Sequence, residues 1–126
     1  SGVQGSKMIR IPFLDDEFSL NFDAIASSDA NLFFLTSPHA PSGRVYPLED
    51  LRKVAQAVSG LLVIDEAYVD FAPESALPLL QEFEHILVTR TLSKSYSLAG
   101  MRVGYAMGHP KVIKQMDQVR EVYNLD

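Results

Sequence analysis

Leu61-Leu62-Val63-Ile64 runs straight into Asp65-Glu66-Ala67-Tyr68. This junction, an unbroken apolar run closed by two acids, decides the fold. A continuous run of β-branched and leucine side chains reads as a strand buried on both faces of a parallel sheet. An acid at its carboxyl end is partly desolvated, so it needs a cation or several hydrogen bonds. Two similar runs flank it: Leu32-Phe33-Phe34-Leu35 and Ile86-Leu87-Val88. Val103–Met107 reads as a further strand and Met8–Pro12 as an amino-terminal one.

Helical patterns lie between the runs. Pro47–Val58 opens with proline, then Glu49 and Asp50 where the helix dipole favours anions, and Gly60 stops it. Leu48, Leu51, Val54, Ala55 and Val58 recur at helical spacing. Ser75–Phe83 reads as a shorter helix carrying Leu77, Leu80 and Phe83. Pro110–Tyr123 reads as another, with Val112, Ile113, Met116, Val119 and Val122 on one stripe. Strands alternating with helices predict a three-layer α/β domain with a mostly parallel sheet. Ligands of such sheets bind outside the carboxyl ends of the strands.

Composition narrows the function. The 126 residues suffice for one domain with a core. Eleven Lys and Arg against sixteen Asp and Glu leave a net charge of -5, the wrong sign for a general nucleic-acid binder. Without cysteine there is no disulfide, thiolate catalysis or cysteine-ligated metal. No apolar run approaches a membrane span, and no signal-peptide pattern stands at the start, so the cytoplasm is the expected compartment. Residues 1–7 are small and polar for the most part. They are read as an expression remnant, and residues 8–126 as the domain.

Three strand ends then carry chemistry. The first is Thr36-Ser37-Pro38-His39-Ala40-Pro41-Ser42-Gly43, a shaped loop that an ordinary strand-to-helix turn explains equally well. The second is Asp65 with Tyr68, for which a helix cap or a structural ion pair is the plain alternative. The third is Thr89-Arg90-Thr91-Leu92-Ser93-Lys94-Ser95-Tyr96, followed by Gly100-Met101-Arg102. It lacks the spacing of a P-loop, yet hydroxyls, backbone N–H groups and a guanidinium suit a phosphate. A solvated charge cluster is the competing reading. An acid, a phenol, a lysine and an anion site together match what pyridoxal phosphate requires: an acid for the ring nitrogen, a phenol for the ring oxygen, and an amine for the imine.

Asp65-Glu66-Ala67-Tyr68, with Thr91-Leu92-Ser93-Lys94-Ser95-Tyr96-Ser97-Leu98-Ala99-Gly100-Met101-Arg102-Val103-Gly104-Tyr105, resembles the fold-type-I pyridoxal-phosphate aminotransferases, and within them the histidinol-phosphate branch. The resemblance covers nearly all of residues 9–126 and implies a partial large, cofactor-binding domain of the aspartate-aminotransferase-like fold. It implies pyridoxal 5'-phosphate as cofactor, histidinol phosphate and 2-oxoglutarate as amino donor and acceptor, and a place in histidine biosynthesis. Lys94 would carry the cofactor and shuttle the proton. Asp65 would meet the pyridine nitrogen and Tyr68 the ring oxygen. Thr91, Ser93 and Arg102 would hold the phosphate. No metal is implied.

Ala40 departs from the family, which in many members has an asparagine there that also contacts the ring oxygen. His39, next to it, reads as a surface residue. The family's chains are several times longer. The upstream phosphate loop and ring-stacking aromatic, and the downstream arginine for the substrate carboxylate, have no counterpart here. The expectation is a fragment that self-associates through open strand edges and catalyses little or no transamination alone. Two other readings stand beside it: a pyridoxal-phosphate decarboxylase of a phosphorylated amino acid, and a non-catalytic α/β association module. His85 and His109 read as surface or capping residues, Glu66 as a local hydrogen-bonder, and Phe33, Phe34 and Phe71 as core.

Overall fold

A computed structural model describes residues 6–92 and 103–118. Four strands, β1 (Leu32–Thr36), β2 (Leu61–Asp65), β3 (Ile86–Thr91) and β4 (Gly104–Gly108), lie side by side in chain order. The first three are parallel and β4 runs antiparallel to β3. The helices are α1 (Phe22–Ser27), α2 (Leu48–Ala57) and α3 (Pro110–Asp117), with 3-10 turns at Val69–Phe71 and Leu77–Gln81. The sheet is mostly parallel, as the sequence pattern predicts.

The core lies on one face of this sheet. Leu35, Leu62, Ile64, Ile86 and Val88 point into it, and α1, α2 and the Leu77–Gln81 turn supply Ile25, Leu51, Val54 and Leu79. Each such fully buried aliphatic contributes about 2 kcal/mol. On the other face β2 and β3 bury Val63 and Leu87 as well. Both-face burial therefore holds for these two strands but fails for β1. There Leu32 and Phe34 are 56% and 62% exposed, because β1 is an edge strand and nothing covers its outer residues among those described. Phe34 is not a core residue. Phe33, one position along, packs against the core.

Two more expectations are corrected. Met8–Pro12 forms no strand: Met8 and Ile9 stand exposed and no ladder pairs them. Ser75–Phe83 is not an α-helix but a 3-10 turn over Leu77–Gln81. Pro78 stands in its first turn, and Leu79 N–H bonds back to the Ala76 carbonyl at 3.0 Å. At three residues per turn, Leu79 becomes the buried position. His85 is half-buried and caps, as the sequence allows: its Nε2 lies 2.8 Å from the Ala55 carbonyl in the last turn of α2 and ties β3 to that helix. His109 does cap a helix, accepting from the Lys111 N–H at 3.2 Å. Helix α1 had no visible period at six residues; Asn21 caps it by accepting from Ala24 N–H.

Two fixed points hold the loops to the sheet. Tyr46 is buried and its hydroxyl donates to the Phe18 carbonyl at 2.7 Å. Gly60 brings the chain against Asn31, whose carbonyl accepts from Leu61 N–H at 2.9 Å. A Cβ at Gly60 would stand 2.3 Å from that carbonyl oxygen.

Gly60→Ala is expected to destabilise the fold by about 2 kcal/mol in urea titrations, since backbone atoms must move to admit the methyl. Burial, aided by Asp15 and opposed by Arg44, raises the Tyr46 hydroxyl above its ordinary value of 10.0. The folded state therefore holds this proton more tightly than the unfolded chain. Its contribution is intact below about pH 10 and is lost as pH rises through the folded value. Stability measured across that range should fall less steeply in Tyr46→Phe.

Candidate active site

The carboxyl ends of β1, β2 and β3 meet where the sequence places its chemistry. Thr36, Asp65 and Thr89 are aligned across the three strands. Asp65 is held through its backbone from both sides. Its carbonyl accepts from Ser37 N–H at 3.0 Å, and the next N–H, of Glu66, donates to the Thr89 carbonyl at 2.8 Å. Asp65 Oδ1 then accepts from Ala67 N–H at 3.1 Å and from the Thr89 hydroxyl at 3.2 Å. Oδ2 has no partner among the described residues. No cation among them pairs with Asp65; among the described residues the carboxylate is oriented by neutral donors alone.

Glu66 points the other way, as strand alternation requires. It is 2% exposed, far from a merely local hydrogen-bonder. Arg90 Nε and Nη2 lie 3.0 and 2.9 Å from Glu66 Oε2. The Ser75 hydroxyl and Ala76 N–H also donate to the carboxylate, and Arg90 Nη2 donates to Ser75 Oγ at 2.9 Å. Burial pulls the Arg90 guanidinium down. Hydrogen bonds and charge from Glu66 and Tyr105 outweigh it, and the net shift is upward. This cluster pins the returning segment 66–76, which contains Tyr68, against β3.

Tyr68 sits half-buried just before the Val69–Phe71 turn. Thr91 ends β3, and its hydroxyl donates to the Val103 carbonyl at 3.2 Å. Ser93, Lys94 and Arg102 lie outside the described residues, as does Tyr96. Asp65, Thr91 and the Tyr68 turn are thus brought to one edge of the sheet.

In the proline loop the Ser37–Pro38 and Ala40–Pro41 peptides are cis, and Ala40 is exposed. His39 is not a plain surface residue. Its ring packs on Phe18 at 4.7 Å and edge-on to Phe13 at 5.3 Å, with Nδ1 2.7 Å from Ser42 Oγ. The ring is therefore engaged with the 13–18 segment. A concavity of about 740 Å³ lies elsewhere: at the opposite end of β1, lined by Lys7, Met8, Ile9, Asn31, Leu32 and Phe34. It opens beside the uncovered edge strand and holds none of the site residues.

Thr89 and the Glu66–Arg90 pair were not singled out from the sequence. The available signal was an Asp-Glu pair at one strand end and a Thr-Arg pair at another; only the register says which faces which.

Comparison with known proteins shows the family and the fold. The family model for aminotransferase class I and II matches residues 2–126. Histidinol-phosphate aminotransferase 1 of Trichormus variabilis is 46% identical over 124 residues, which is 98% of this chain and 35% of that protein. Histidinol-phosphate aminotransferase of Syntrophotalea carbinolica is 48% identical over the same share. The crystal structure of histidinol-phosphate aminotransferase from Sinorhizobium meliloti, in complex with pyridoxal-5'-phosphate, superimposes with a TM-score of 0.78 at 32% identity. It covers 90% of this chain and 33% of that one. The chain spans about a third of the length of the curated relatives it matches.

Arg90→Met leaves Glu66 buried without its cation, and should cost about 3–5 kcal/mol by urea unfolding. Replacing both, as Glu66→Gln with Arg90→Met, should cost clearly less than the sum of the two single changes.

Proposed function

Because this chain belongs to the aminotransferase class I and II family, we propose that it supplies the lysine- and acid-bearing part of a pyridoxal-phosphate-dependent aminotransferase. The proposed amino donor is histidinol phosphate and the acceptor 2-oxoglutarate. The relatives' names support that choice. The observation that carries the reading is the Asp65 carboxylate: fixed at the end of β2 by two neutral donors on Oδ1, with Oδ2 open. Such a group fits a protonated ring nitrogen, because it is an oriented acid with one oxygen open and is not paired with a cation among the described residues.

Pyridoxal phosphate, when bound, supplies a conjugated ring that takes up the electron pair left when a substrate carbon loses its proton. The chain's own residues do the rest. Asp65 accepts a hydrogen bond from the ring nitrogen and keeps its proton in place. Tyr68 donates to the ring oxygen, and it carries that contact without the asparagine that Ala40 replaces. Thr91, Ser93 and Arg102 hold the phosphate; Thr91 does so on releasing the Val103 carbonyl. Lys94 is the amine that carries the cofactor, and its Nζ moves the proton at the substrate carbon.

The open edge of β1 and the exposed Leu32 and Phe34 support self-association of this chain. No helix among the described residues is long and apolar enough to cross a membrane. The cytoplasm is the proposed compartment.

Mixing the chain with pyridoxal phosphate, reducing with borohydride and mapping peptides by mass should place the adduct on Lys94. Lys94→Ala should lose it. Labelling scattered over other lysines, unchanged in Lys94→Ala, would sink the assignment. Light scattering at high concentration should find a species heavier than 14.0 kDa.

A further inference from the structure

We infer that Thr89 is a positioning residue that acts through Asp65, selecting which carboxylate oxygen is left for the ring nitrogen of the cofactor. The inference rests on the proposed role of Asp65 and adds a residue to it. Thr89 is the register partner of Asp65. Paired positions on parallel strands project to the same face, so the two side chains meet without any turn or long reach.

The Thr89 hydroxyl lies 3.2 Å from Asp65 Oδ1, the same oxygen that takes Ala67 N–H at 3.1 Å. Two donors converging on one oxygen fix the rotation of the carboxylate and leave Oδ2 open. Thr89 is itself fixed. Its carbonyl accepts from Glu66 N–H, and its β-branched side chain has few χ1 choices.

The identity of the donor matters as much as its place. A hydroxyl holds Oδ1 without cancelling the charge, so Oδ2 still attracts a cationic N–H. A guanidinium in that place would neutralise Asp65. The chain does hold one next door: Arg90 follows Thr89, but alternation turns it to the opposite face, where it meets Glu66. The Asp-Glu and Thr-Arg pairs are thereby sorted. The neutral donor goes to the acid that must stay charged and open, and the cation goes to the buried structural acid.

The test compares affinity for pyridoxal phosphate with affinity for its 1-deaza analogue, in which CH replaces the ring nitrogen. The unmutated chain should prefer pyridoxal phosphate. Thr89→Val keeps the shape and removes the hydroxyl. It should lower affinity for pyridoxal phosphate about fivefold, roughly the worth of one ordinary hydrogen bond, while affinity for the analogue stays unchanged. Thr89→Ser should restore the preference.

Equal losses for both ligands in Thr89→Val would reduce Thr89 to a structural residue and overturn the inference. So would a preference that survives in Thr89→Val. An unmutated chain that binds neither ligand, or binds both alike, would remove the role of Asp65 and with it that of Thr89. That failure is distinguishable because it appears before any substitution.

Discussion

The parallel register between β2 and β3 is the constraint on which the rest depends. Leu62, Val63, Ile64 and Asp65 stand opposite Ile86, Leu87, Val88 and Thr89. A slip of β3 by one residue toward its amino end would turn every one of its side chains to the other face. It would remove Ile86 and Val88 from the core, bring Arg90 to Asp65, and leave Glu66 buried without a cation. Stability and chemistry therefore select the same alignment. The Glu66–Arg90 pair enforces it from the core side, since a buried carboxylate without its partner is heavily penalised.

That pair also explains how an irregular segment keeps its shape. Between β2 and the Leu77–Gln81 turn, the short Val69–Phe71 turn is the one regular element of the chain. Ser75 and Ala76 reach back to Glu66, so the segment is closed at both ends by one carboxylate. Tyr68 lies inside this closed span. On the neighbouring strand, the proline loop is held by other means: His39 against Phe13 and Phe18, and Tyr46 to the Phe18 carbonyl. Polar and aromatic contacts position the loops, while the aliphatic core positions the strands that carry them.

Much of this was legible in the residues. Continuous apolar runs marked β1, β2 and β3, and the proline-led, glycine-stopped stretch marked α2, because these signals are local. Asp65, Tyr68 and the lysine segment were legible because of their order along the chain. The Leu77–Gln81 turn was misread as α-helical, since a period of three and one of 3.6 differ little over nine residues. Phe34 was misread because an apolar run does not say whether a strand is central or at an edge. His39 was misread because its partners, Phe13 and Phe18, are distant in sequence.

The sequence by itself determined the segments of β1 to β4 (though it also marked Met8–Pro12), the α/β class, and which side chains are able to serve an acid–amine cofactor site. Those are properties of neighbouring residues. The tertiary structure alone decided which of two adjacent acids is buried against Arg90 and which is held open by Thr89. It also decided that β1 lies at the edge with Phe34 uncovered. Strand order and register bring residues about 24 positions apart to within hydrogen-bond distance, and no local pattern encodes that pairing.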